Sequence, residues 1–209
     1  MNRTLLYFPW AHGFKSENEE GFDVHNNEHV KRDYFSIKRY FSSSFWNSYS
    51  NLECLYLYVE GVPALELPSI VQSLKERKLH PAGWTVDEYV KNSYSTLTKI
   101  SQYVYDLPTT LNKSCKFIGL ENPLLCLPHN DPVKTLEVEV PQRDMFMANR
   151  INETLPHDGV GALFIGHTHN VHHFLPTDIM IEFPKGNPEP DPNIARQLAL
   201  LKMMRKFPK

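Results

Sequence analysis

RDMFMANRINETLPHDGVGALFIGHTHNVHHFLPTDIMIEF, residues 143–183, is the stretch that decides the fold. Met145, Ala148, Ile151 and Leu155 recur at helical spacing with Arg143, Asp144, Arg150, Asn152 and Glu153 between them, which predicts an amphipathic helix over about 142–155. Val160 to Ile165 is a short apolar run entered through Pro156, Asp158 and Gly159 and closed by Gly166. A run of that kind is the mark of a strand buried on both faces, as in the parallel sheets of α/β proteins. His167, Thr168 and His169 then fall just beyond the carboxyl end of a central strand. Open α/β sheets place their ligands there, so these residues are the first site candidates.

The chain before this stretch repeats the pattern. Thr4 to Trp10 reads as a first strand and delivers His12; Leu55 to Val59 reads as a second and ends in Glu60, Gly61 and Pro63; Lys116 to Gly119 reads as a third and hands over Glu121. Between the first two, residues 15–33 are polar and predict a loop. Val30, Tyr34, Ile37, Tyr40 and Phe41 then predict a crossover helix reaching about Trp46. Ile70 to Leu79 and Thr85 to Tyr105 carry two further helical patterns, the second capped by Thr85 ahead of Asp87 and Glu88. Pro123 to Pro141, with four prolines, predicts irregular chain. The expected architecture is one α/β domain over residues 1–183, a mostly parallel sheet flanked by helices. Residues 184–209 then form a proline-rich linker and a short basic tail suited to contact with a partner subunit, as in a homo-oligomer.

Composition narrows what such a domain does. At 209 residues, 41% hydrophobic and 12% aromatic, the chain can bury a full core. A formal net charge of -2 with no basic stripe gives no electrostatic case for nucleic acid or an anionic membrane. The apolar run at the start is too short for a signal peptide, and no stretch nears the roughly 18 apolar residues that span a bilayer, so the expected location is cytoplasmic. Cys54, Cys115 and Cys126 are odd in number and lack metal-type spacing, which suits packing positions in a reducing compartment.

Because parallel strands end on one edge, His12, Glu60, Glu121 and the His167/His169 pair are expected to converge. Two or three imidazoles with two carboxylates suit a divalent cation, Zn, Mn, Co or Fe, with His12, Glu60, Glu121, His167 and His169 as ligands. They suit metal-free general acid and base work equally well. Each also has a bland reading, as a hydrogen-bonded loop histidine or a turn-capping carboxylate, and His157, His172 and His173 read as solvated.

The helix RDxFxANRINETL followed by LFIGHTHNV and LPTDI resembles the carboxyl half of TraB/Tiki-type proteins, related to the ChaN and erythromycin esterase folds. Within that superfamily the chain most resembles a prokaryotic group, through LLYFPWAH, LYLYVEGVP and FIGLENP as well. The resemblance implies a mostly parallel α/β sheet with a site at the strand ends, where His12, Glu60, Glu121 and His169 match the superfamily's polar positions. Its members include metal-dependent proteases, esterases and a haem-binding lipoprotein. The implied function is therefore a hydrolase of protease or esterase type acting on a small-molecule or peptide substrate, with a small-ligand or haem binder as the alternative. Arg143 or Arg150 would meet an oxyanion. Two departures stand out: PWAH replaces the usual first GxxH, and the membrane or lipoprotein anchors of some relatives have no counterpart. GHTH at 166–169 is also similar to a metal motif of calcineurin-like metallophosphoesterases, with Asp23 and His25 supplying a DxH. That DxH follows no apolar strand, and no GNHD or GNHE occurs, so half of a two-metal site is missing.

Overall fold

Five strands pair as one sheet in the computed structural model, which describes residues 3–10, 28–64, 99–122, 125 and 140–185. They are β1 (Arg3–Trp10), β2 (Cys54–Pro63), β3 (Ser114–Glu121), β4 (Val160–Gly166) and β5 (Ile179–Glu182). Their spatial order is β3-β2-β4-β1-β5, and every pairing is parallel. The α/β architecture expected from the sequence is therefore present. β4 lies at the centre with all seven residues buried, in register from Leu55↔Val160 on one side and Thr4↔Val160 on the other. That position explains its unbroken apolar run, since a strand with neighbours on both sides and helices on both faces has no solvent side to mark with polar residues.

Alternation along the strands divides the core in two. Leu6, Phe8, Leu55, Leu57, Val59, Ala162 and Phe164 face one layer of helices: α1 (Glu28–Arg39), a π turn (Tyr40–Ser44), α2 (Phe45–Tyr49) and α3 (Lys99–Leu111). Phe8 and Phe164 stack there at 5.1 Å, with Phe41 tilted 5.3 Å from Phe8. Leu5, Tyr7, Tyr58, Leu163 and Ile165 face the other way, onto α4 (Val140–Thr154) and a 3-10 turn (Val171–Phe174). The same alternation carries Glu60, two residues beyond Tyr58, toward the α4 side.

The chain path also marks a switch point. From β2 the next strand, β3, lies outward on one side; from β4 the next, β5, lies on the other, so the two central neighbours are left in opposite directions. Open α/β sheets take their ligands at such a switch point, here the carboxyl ends of β2 and β4, which carry Glu60 and His167 to His169.

Several expectations need correction. Glu60 and Glu121 lie within the last residues of β2 and β3, whereas the sequence placed them after the strands. The register of β2 against β3 slips between Val59 and Pro63, and Gly61 takes φ 81° inside that irregularity, a conformation that glycine adopts without a Cβ penalty. α1 begins at Glu28, inside the segment 15–33 expected to be loop. α3 runs on to Leu111 with Pro108 inside it, past the expected end at Tyr105. β5 was not expected at all. α4 turns a different face inward: Met145 is 50% exposed, while Asp144, Met147, Ala148 and Ile151 are buried. Lys185, expected to lie in the linker, donates to the Pro9 carbonyl at 2.9 Å and pairs with buried Asp33. Cys54 and Cys115 are half-buried free thiols. Cys126, the predicted helix 70–79, the predicted loop 15–27 and the tail from 186 lie outside the described residues.

Candidate active site

Four of the expected residues meet. Glu60 from β2, Glu121 from β3, His169 from the turn after β4 and Arg143 from the first turns of α4 form one linked group at the switch point. Nε2 of His169 is 3.0 Å from Oε1 of Glu60, whose Oε2 accepts the Gly166 N–H at 2.6 Å. Arg143 donates to both oxygens of Glu121, Nη2 at 2.6 Å and Nε at 3.3 Å, and its Nη2 stands 3.5 Å from Glu60. The fork of the guanidinium is matched to a carboxylate in this way, which fixes orientation as well as charge. Glu121 is also 3.5 Å from the Gly61 N–H, where the positive φ lets the β2 backbone turn toward it.

One member was absent from the expected set. Oδ1 of Asp144 lies 2.5 Å from Nδ1 of His169, and Oδ2 accepts the Asn170 N–H at 2.7 Å. Its signal was present in the sequence: Asp144 is three and four residues before Met147 and Ala148, so it occupies the apolar stripe itself. A carboxylate on a buried stripe requires a partner. Reading the stripe through Met145 hid it.

The group is graded by exposure. The side chains of His169, Glu121 and Asp144 are 1%, 1% and 2% exposed, whereas Glu60 and Arg143 reach 10% and 21%. Burial by itself would lower the imidazole's pKa. Hydrogen bonds to Asp144 and Glu60, with the charge of Glu60, outweigh burial and the opposing charge of Arg143, and hold it up at about 9. His169 is thus an imidazolium at neutral pH. Burial, with the nearby Asp144 carboxylate, pushes the Tyr7 phenol up, so Tyr7 stays protonated and donates to the His169 carbonyl at 3.2 Å.

This has a consequence for stability. The folded-state value lies above the ordinary 6.5, so the stabilisation from His169 is fully present below about pH 6.5 and is lost as pH rises through about 9. A shift of that size corresponds to on the order of 3 kcal/mol. Urea unfolding of the wild type at pH 6.5 and 9.5 should show a loss of that order, and His169→Gln should lose far less over the same interval. A flat wild-type profile would refute the charged histidine.

The remaining candidates go elsewhere. His167 turns to the α1 side, with Nε2 3.6 Å from Asp33, so it does not share a ligand point with His169. Arg150 sits two turns beyond Arg143, about 10 Å along the helix, where Nη1 meets Glu153 at 3.3 Å. His157 is exposed, and His172 packs edge-on against Tyr7 and Phe183 with His173 beside it. His12, Asp23 and His25 lie outside the described residues; β1 ends two residues before His12, with Trp10 in register with Gly166. Among the described residues no group of three or more histidine, cysteine, aspartate or glutamate side chains is arranged to hold a metal ion; of the expected ligands, Glu60 pairs with His169, Glu121 with Arg143, and His167 lies near Asp33. Also among the described residues, no helix is long and apolar enough to cross a membrane.

Fold and site together define an α/β protein with an all-parallel five-stranded sheet and a charged His/Glu/Asp/Arg group at its switch point. No family model, no curated protein and no solved structure matches the chain.

Proposed function

We propose that the chain is a hydrolase of the ester or amide type, acting on a small-molecule or peptide substrate through its His/Glu site. The observation that carries this is the line Asp144, His169, Glu60: an imidazole bonded through both nitrogens to carboxylates, ending at a glutamate that is partly exposed at the switch point. Glu60 takes a proton from water as the water attacks the substrate carbonyl, and returns it to the leaving group. His169 holds Glu60 by charge and hydrogen bond. Arg143, a fifth exposed and already beside Glu60, meets the oxyanion.

A divalent metal, Zn, Mn, Co or Fe, on Glu60, Glu121 and His169 is the second reading, favoured by the donor types. It requires Arg143 to leave both glutamates and His169 to give up a proton, so the present arrangement does not fit it. A non-catalytic binder of a small ligand or haem is the rival from outside enzymology. The near-complete burial of Asp144, Glu121 and His169 supports a non-catalytic role, since groups so withdrawn from solvent suit a clasp between strand ends beside a binding site.

Elemental analysis of the purified chain, followed by a screen of p-nitrophenyl esters, peptide anilides and phosphoesters, tests the reading. Turnover of an ester or amide without a stoichiometric metal is expected. No turnover of any substrate, with or without added Zn, Mn, Co or Fe, would transfer the site to the binding reading.

A further inference from the structure

Asp144 carries no step in the chemistry above, yet it sits at a costly place. Its side chain is 2% exposed on a stripe otherwise made of Met147, Ala148 and Ile151, and a carboxylate withdrawn from water is tolerated only where its oxygens are satisfied. Both oxygens are committed to consecutive residues of one turn, Oδ1 to the His169 ring and Oδ2 to the Asn170 N–H. Tyr7 adds a third hold through the His169 carbonyl. A generic ion pair needs one of these contacts. Together they fix the ring's rotation and the backbone that bears it, and with Nδ1 taken by Asp144 the opposite nitrogen faces Glu60.

We propose that Asp144 is a positioning residue of the site: it holds the proton on Nδ1 of His169 and so aims Nε2 at Glu60, acting through the imidazole without touching substrate. Its effect on rate rests on the hydrolytic reading; its effect on the ring does not. A buried carboxylate fixes the orientation of a catalytic histidine by the same contact in other hydrolases.

The test uses the full chain labelled with ¹⁵N-histidine. In the wild type, NMR should show a far-downfield Nδ1–H resonance that disappears in His169→Gln. Asp144→Asn keeps the shape and an acceptor for Asn170, and it should abolish that resonance; Asp144→Glu should retain it, shifted. With a substrate from the screen, kcat of Asp144→Asn should fall at least tenfold with KM within threefold, and Asp144→Glu should recover part of the loss. Should Asp144→Asn not fold, the wild-type resonance and its shift in Asp144→Glu decide alone. Absence of the resonance in the wild type, its survival in Asp144→Asn, or an unchanged kcat in that variant would overturn the proposal. A wild type that hydrolyses nothing sinks the hydrolase reading but leaves the resonance to decide the role of Asp144.

Discussion

Arg143→Ala is expected to destabilise the protein by roughly 3 kcal/mol, because it strips the cation from two carboxylates that cannot both return to water. Glu121 is 1% exposed and bound through both oxygens to Arg143, and Glu60 is 10% exposed and 3.5 Å from the same nitrogen. Removing one partner of a buried pair typically costs about 3–5 kcal/mol; the lower end applies because Arg143 is itself a fifth exposed. Two further effects add in the same direction. Glu60 and Glu121 then face each other without the charge that bridges them, and His169 is left as their neutralising partner. For a chain of this length the expected fall in melting temperature is on the order of 10 °C. The double variant Arg143→Ala, Glu121→Gln should recover part of this, since the buried charge goes while the shape stays. Urea unfolding of the two variants checks it. A single variant within about 1 kcal/mol of the wild type would mean that the ion pair contributes little, as exposed pairs do.

How far the sequence reaches can be seen element by element. β1, β2, β3 and β4 were legible because each is an apolar run ended by a polar residue and a turn signal, and a parallel sheet makes such runs continuous. The same rule brought out Glu60, Glu121 and His169, which the fold joins, the two glutamates through Arg143 and Glu60 to His169 directly, across more than a hundred positions of chain. β5 escaped because it is four residues long, pairs only at the sheet edge beside β1, and has Met180 half exposed. The helical pattern was ended at Tyr105, yet α3 runs on through Pro108, with Leu107 and Leu111 buried on either side. Packing outweighed local preference there. On α4, two overlapping stripes compete: one through Met145, the other through Asp144 and Met147. Hydrophobicity alone chooses the first. The structure chooses the second because Asp144 finds His169 and Asn170, partners that no local pattern announces. His167 and His169 looked equivalent as GHTH, but the turn sends them to opposite faces of the sheet, toward Asp33 and toward Asp144.

Glu60→Gln carries the largest expected effect on activity. The substitution keeps the volume and an oxygen for the Gly166 N–H, so the strand end should persist, while the anion that takes a proton from water is gone. General acid–base steps contribute about 100-fold to 10,000-fold, and a loss in that range is expected. The amide also meets the His169 Nε2–H and the guanidinium of Arg143 less favourably than a carboxylate does, so a small drop in melting temperature should accompany it. A purely structural clasp would behave in the opposite proportion, with a clear loss of stability and no rate to lose. The measurement that bears most directly on the site is therefore kcat of the wild type and of Glu60→Gln on the best ester or amide substrate, with the melting temperature of each taken alongside. A kcat lower by about 100-fold or more in a variant still folded at the assay temperature is the predicted result. A kcat within a factor of about 3 of the wild type would contradict it.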